Sequence, residues 1–268
     1  MSYKLIDLHI HTDNSPDGHH SPMFMCEEAV SKGVRAVAFT DHYDLTVDFE
    51  KFRYDKRAEH SFFEVEKARN AFAGKILVLK GIELGEALHD LPKTVPILNA
   101  GYDIILGSLH NLKNKPDFIA LDYESIDIYE YLDEYFDELI KLSLWHGVDV
   151  ITHMTCPLRY ITGRHGIPVD IERYSGKIDI VLKNIIDTGK ALEVNTSELF
   201  GVLGKTMPDE KIIKRYRELG GKLITVGSDA HYAADIGKGI PEAIDIISRC
   251  GFDKLTFFMK REPMQIDI

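Results

Sequence analysis

Hydrophobic positions along this chain fall into two alternating kinds of stretch. Short runs rich in β-branched residues predict strands at 4–11, 34–40, 75–83, 102–108, 148–153, 190–195 and 222–227, with a weaker eighth near 255–259. Helical spacing fills the gaps. Ser21-Pro22 opens one helix as cap and first residue, and Gly33 closes it. Ile126, Tyr129, Leu132, Phe136, Leu139 and Ile140 predict a buried stripe on a helix over 125–146, stopped by Gly147. Pro208 with Asp209-Glu210 opens another helix, with Ile212, Ile213, Tyr216 and Leu219 inward and Gly220-Gly221 at its end. Strand–helix alternation of this kind predicts an α/β fold with a mainly parallel sheet. No low-complexity tract divides it, so 1–268 is expected to be one domain. Residues 43–60 break the rhythm: they are aromatic, densely charged and without a clean period. Such a segment is either a surface loop or a lid over a barrel mouth, and the lid is the favoured reading.

Composition narrows the function classes. The chain has 268 residues, 44% hydrophobic and 28% charged, which is ordinary for a globular protein. No apolar run is long enough to span a bilayer and no leader pattern opens the chain, so a cytoplasmic protein without membrane contact is expected. The formal net charge of −11 argues against nucleic-acid capture. It would also repel a phosphorylated substrate unless bound cations offset it. Cys26, Cys156 and Cys250 are far apart and form neither a disulfide framework nor a thiolate zinc site.

The candidate chemistry lies at strand ends. His9 and His11 are two apart on an alternating strand, so their imidazoles face one point, with Asp7 a step behind. Later strands end in Thr40-Asp41-His42, Gly81-Ile82-Glu83, Gly107-Ser108-Leu109-His110, Thr152-His153, Glu193-Val194-Asn195-Thr196-Ser197 and Gly227-Ser228-Asp229-Ala230-His231. In barrels of βα units the C-terminal strand ends converge on one cavity. Any one of these histidines alone is best read as a structural residue, but six at strand ends are not. Six histidines with Asp17, Glu83 and Asp229 and no soft thiolate suit Zn, Mn or Fe. A metal pair of this kind activates water and clamps a phosphoryl group. Of the other histidines, His19 and His20 lie beside Asp17. His60, His89, His146 and His165 read as surface or helix-end residues.

Taken in order, these motifs resemble the polymerase and histidinol phosphatase (PHP) family, from about residue 4 to the 230s. The resemblance implies a distorted (βα)7-type TIM-like barrel, the PHP fold, with two to three divalent ions. Carried over by motif, the first ion would use His9, His11, Glu83 and Asp229, the second Glu83, His110 and His153, and the third Asp17, His42 and His231. Asp17 stands where other members often have histidine. Ser108-Leu109-His110-Asn111 and Pro157-Leu158-Arg159-Tyr160 resemble the histidinol-phosphatase branch. The resemblance implies a small phosphorylated substrate, L-histidinol phosphate, hydrolysed in histidine biosynthesis by a hydroxide bridging two ions. In that scheme Asp229 orients or deprotonates the nucleophile, and His42 or a bound water protonates the leaving group.

Arg159 is expected to hold the phosphate, because guanidinium pairs with phosphate in a bidentate manner; Arg164 is the second choice. Ser197 and Glu198 either read the amino or imidazole end of the substrate or cap the following loop. Tyr43 and Phe49 are expected to close over the imidazole from the 43–60 segment. The rival enzyme is a PHP phosphoesterase acting on another small phosphate ester, a nucleotide or an oligonucleotide end. A metal-binding protein without catalysis would be expected to lack part of the ligand set. Amide hydrolases on related barrels use a carboxylated lysine where Glu83 stands. Oligomeric state is open at this level.

Overall fold

The computed structural model describes residues 5–268; the expected first residue of the opening strand, Lys4, lies outside them. The strands are β1 (Ile6–Ile10), β2 (Ala36–Phe39), β3 (His42–Asp44), β4 (Leu77–Gly85), β5 (Ile104–Ser108), β6 (Val150–Ile151), β7 (Ala191–Asn195) and β8 (Ile224–Gly227). They pair in parallel in the order β1-β2-β4-β5-β6-β7-β8. The short β3 continues the path of β2 along the long strand β4, pairing His42 with Glu83 and Asp44 with Gly85.

β8 meets β1 through Asp229 N–H to His9 O at 2.8 Å and His11 N–H to Ala230 O at 2.9 Å, so a seven-stranded barrel nearly closes. Buried Asp7 stitches that seam by accepting the Ser228 and Gly237 amides, both at 2.8 Å. Most barrel strands are buried along their whole length, which is why they read as continuous apolar runs.

Two of the three helices with start signals in the sequence, those opened at Ser21-Pro22 and at Asp209-Glu210, begin there, and the one expected over 125–146 begins at Ile128. Helix α1 (Pro22–Ser31) has Ser21 accepting the Phe24 amide. Two helical pieces follow β3: α2 (Phe49–Phe52) and α3 (Tyr54–Ala71). Next come α4 (Leu91–Asn99), α5 (Ile128–Leu144), α6 (Ser175–Asp187), α7 (Glu210–Glu218) and α8 (Ile240–Arg249). On α5 the buried face is Tyr131, Leu132, Tyr135, Phe136, Leu139 and Leu142. It is rotated from the expected stripe, because two tyrosines pack inward and Ile126 precedes the helix. Among the described residues no helix is long and apolar enough to cross a membrane.

One expectation is corrected. The run near 255–259 is not a barrel strand: β9 (Lys254–Met259) pairs antiparallel with β10 (Glu262–Asp267). Lys260 and Arg261 at the hairpin tip both have positive φ, as a primed two-residue turn requires. Arg261 then grips Asp149 and the Gly147 carbonyl under the barrel, which holds the hairpin there. The 43–60 segment is not an irregular loop. Tyr43, Phe49 and Tyr54 are buried and packed ring on ring, Asp44 is buried with them, and most of the other charges lie on α2 and α3.

Lys190, at the foot of β7, is buried and its ammonium has no hydrogen-bond partner. Burial pushes it down to about 8, against the pull of Asp149 and with the push of Arg261. A folded-state value below the unfolded 10.5 means the native state binds fewer protons across that interval. The penalty is therefore fully present below pH 8, and stability rises as pH climbs from 8 to 10.5. Lys190→Met is expected to raise unfolding stability at pH 7 by on the order of 1 kcal/mol, after allowing for solvent screening. It should also flatten that alkaline rise in denaturant titrations; an unchanged pH profile would contradict the assignment.

Candidate metal centre

The C-terminal strand ends open into a cavity of about 370 Å³, a size suited to a small molecule. Glu83, near the end of β4, is its hub. Its Oε1 lies 2.9 Å from His153 Nε2 and 3.3 Å from His110 Nε2. Its Oε2 lies 3.1 Å from His42 Nδ1, 3.3 Å from His9 Nε2 and 3.5 Å from His11 Nε2. One buried carboxylate thus faces five imidazoles from four strand ends. Asp229 Oδ1 adds a second carboxylate, 3.2 Å from His11 Nε2 and 3.6 Å from His9 Nε2. Asp17 reaches His231 at 3.3 Å and His42 at 3.8 Å. The nine expected donors come together, and the smaller groups that could hold an ion include His9-His11-Asp229, His9-Glu83-His153, His42-Glu83-His110 and His11-His42-His231.

The hydrogen bonds around His9 and His11 fix which nitrogens face inward. His9 Nδ1 lies 2.6 Å from Glu193 Oε1, so the ring donates there and Nε2 keeps its lone pair. Ser15 Oγ donates to Asp41 and therefore accepts from His11 Nδ1 at 3.1 Å, which leaves the His11 Nε2 lone pair inward as well. The two Nε2 atoms stand 3.1 Å apart with carboxylate oxygens beside them. Lone pairs crowded in this way repel unless a cation sits among them, so the donor set fits a divalent ion.

The electrostatics agree. Burial opposes ionisation of Glu83 and Asp229, yet the surrounding imidazoles, with Arg159 at Asp229, hold both well below the carboxylate range. Burial likewise opposes charge on His42, but Asp44, Glu83 and Asp17 push it up to about 10. His11, sandwiched between the rings of His42 and His231, is driven down to about 4 by burial and by those two neighbours. Carboxylates that raise imidazole basicity this strongly would bind a metal ion with release of protons.

Backbone geometry aims the donors. His153 (φ 24°) and Asp229 (φ 57°) occupy positive φ just past β6 and β8, a strain tolerated where it sets a functional side chain. Gly227 leaves room for the His9–Glu193 pair, since a Cβ there would lie 2.3 Å from His9 Cβ. Asp41, beside His42 in sequence, does not enter the cavity. It accepts Thr12 N–H, Thr12 Oγ1, Ser15 Oγ and Ser61 Oγ, and so shapes the loop that carries Asp17. Arg57 fastens the same loop through the Asp13, Asn14 and Ser15 carbonyls while holding the Phe52 carbonyl.

The other expected site residues divide. Arg159, on a π-helical turn Arg159–Arg164, lines the cavity; its Nη2 donates to Ser197 Oγ and, at 3.2 Å, to Asp229 Oδ2. Glu198 lies 3.4 Å from Arg159 Nε. Ser197 and Glu198 thus hold the arginine instead of lining the cavity. Arg164 lies over the Tyr160 ring and is not among the residues lining the cavity. Tyr43 is buried and donates to the Lys93 carbonyl; Phe52 and Tyr54 form the wall where Tyr43 and Phe49 were expected. Glu193 was noted at its strand end without a role, and Ser15, Asp44, Tyr54 and Glu86 escaped notice altogether. A buried carboxylate behind a histidine leaves no periodic signal in sequence.

The PHP domain model matches residues 7–197, more than two-thirds of the chain. A protein of Clostridium acetobutylicum named probable histidinol-phosphatase is 32% identical over 266 residues, covering 96% of this chain and 98% of that one. The histidinol-phosphatase of Lactococcus lactis is 25% identical over 274 residues, covering 98% and 97%. The crystal structure of the Lactococcus lactis histidinol phosphate phosphatase, complexed with zinc, L-histidinol and phosphate, superposes with a TM-score of 0.81 at 22% identity, covering 98% of this chain and all of that one. That structure shares the seven-stranded architecture described above. The family match spans the strand ends that build the centre from His9 to Asn195, and the full-length relatives carry the likeness through the last of them: this chain belongs to the PHP domain family.

Proposed function

We propose that this protein is a metal-dependent phosphomonoesterase that converts L-histidinol phosphate and water to L-histidinol and phosphate, a step of histidine biosynthesis. The observation that carries the reading is the Glu83 hub, with its imidazoles and Asp229, lying beside the guanidinium of Arg159 in one small cavity. Full-length similarity to proteins named histidinol-phosphatase supports the substrate. Two to three ions of Zn, Mn or Fe are part of the proposal, held by His9, His11, Glu83 and Asp229, by Glu83, His110 and His153, and by Asp17, His42 and His231. When bound, such ions supply Lewis acidity at the phosphoryl oxygens and make water nucleophilic near neutral pH.

The chain's own groups do the rest. Arg159 would offset the charge of the phosphoryl oxygens, kept in place by Ser197 and Glu198. Asp229, whose Oδ2 faces Arg159, would orient the attacking water and take its proton; with water as nucleophile no covalent phosphoenzyme is needed, and a bound water or His42 would protonate the leaving oxygen. Of the two roles expected for His42, metal donor fits better, because its ring stands between Asp17, Glu83 and Asp44. Phe52, Tyr54 and Tyr160 would shield the organic end of the substrate from water. A cytoplasmic site is part of the proposal, and three unpaired, buried cysteines are in keeping with a reducing compartment.

The test is phosphate release from L-histidinol phosphate by protein loaded with Mn or Zn, with and without chelator, beside a nucleoside monophosphate. Chelator-sensitive turnover with kcat/KM above about 10⁴ M⁻¹s⁻¹ for the first substrate alone is expected. Equal or faster turnover of the nucleotide would overturn the substrate and leave the hydrolytic centre.

A further inference from the structure

Beside the metal donors lies a second buried carboxylate pair, Asp44, which reaches the cavity wall, and Glu86. Asp44 ends β3, and its Oδ1 stands 3.4 Å from His110 Nδ1 while its Oδ2 stands 3.4 Å from His42 Nδ1, a nitrogen that also lies 3.1 Å from Glu83 Oε2. Tyr54 at the start of α3 donates its hydroxyl to the same Oδ2 at 3.1 Å. Gly85 makes the approach possible: a Cβ there would lie 2.2 Å from Asp44 Oδ1 and 3.3 Å from His110 Nδ1. Glu86 is fully buried, held at φ 51°, and its Oε1 accepts the amides of His110 and Asn111. His110 is therefore fastened by its main chain to one carboxylate, and its ring Nδ1 stands beside another.

We infer that Asp44 is a positioning residue shared by two metal donors: it takes the Nδ1 protons of His42 and His110 and thereby turns both Nε2 atoms toward the ions, while Glu86 pins the main chain beneath His110. The orientations support this. His110 Nε2 points to Glu83 Oε1 at 3.3 Å, and His42 Nε2 points to Asp17. An imidazole that binds a metal through one nitrogen is oriented by what accepts from the other. Because His42 and His110 belong to different proposed ion sites, one carboxylate sets the spacing of both. Tyr54 also lines the cavity, so the wall of the substrate space and the two ligands share a single anchor.

The inference rests on the metal-centre reading but not on the substrate, so metal binding is measured without substrate. In zinc titrations of apoprotein, Asp44→Asn is expected to weaken the ions held by His110 and His42 by about 10–100-fold. The ion held mainly by His9, His11 and Asp229 should keep its affinity. An asparagine can accept from one ring only and sets its amide protons against the other.

Long-range proton–nitrogen spectra of zinc-loaded wild type provide a readout that does not depend on the variant folding. His42 and His110 should appear protonated at Nδ1 and metal-bound at Nε2. Metal at Nδ1 of either ring, or wild-type affinity for every ion in Asp44→Asn, overturns the inference and leaves the phosphatase reading standing. An extra equivalent lost with Asp44 would mean that Asp44, Glu86 and His110 themselves bind an ion, which also overturns it. A wild type that binds no divalent ion overturns both.

Discussion

Glu83→Gln is expected to reduce kcat by on the order of 10³-fold or more, with loss of bound metal, because it removes the one carboxylate charge that the first two proposed ions share. The side chain is 1% exposed and reaches five imidazoles with its two oxygens. Glutamine keeps the shape but replaces one acceptor with a donor and deletes the negative charge. Four of those five rings offer Nε2 toward that carboxylate, so an amide proton would meet lone pairs on one side and lose a cation on the other. Metal content by elemental analysis and phosphate release should fall together. Retention of full metal content with kcat within tenfold of wild type would show that Glu83 is not the bridge.

Arg159→Ala is expected to lower kcat/KM for the phosphate ester by on the order of 10²–10³-fold, expressed mainly in KM, since a desolvated charged hydrogen-bonding partner is worth a few kcal/mol. The guanidinium is already oriented by Ser197, Glu198 and Asp229, so little ordering remains to be done when phosphate arrives. Arg159→Lys should recover only part of the loss, because an ammonium cannot make the paired contact. Metal content should stay close to wild type in both variants. Loss of metal with an unchanged KM would place Arg159 in support of Asp229 instead of on the substrate.

The candidate site was more legible than its surroundings. His9 and His11 could be paired from strand periodicity alone, and the structure puts their Nε2 atoms 3.1 Å apart. The place of Asp17 in an ion site was implied only by the resemblance to the PHP family, and its contacts with His42 and His231 are present. The wall of the cavity was not legible. Tyr43 and Phe49 look like lid residues in a charged segment, but their side of that segment packs into the core, and Phe52 and Tyr54 take the cavity face. Residues 254–259 have the pattern of a strand, but pattern does not say which partner the strand takes.

What the sequence determined by itself is the set of seven main barrel strands, their parallel α/β arrangement and the histidines and carboxylates at their ends. These follow from local rules: a period of two on a strand, caps and glycines at helix ends, and the active ends of βα units lying on one side. The tertiary structure decided how those donors are held. Glu193 behind His9, Asp44 between His42 and His110, and Ser197 with Glu198 around Arg159 are separated from their partners by up to 184 residues. A single acidic residue carries no local mark of the histidine or arginine it will meet. That meeting depends on barrel closure and on which face of each helix is buried, and both are set by packing of the whole chain.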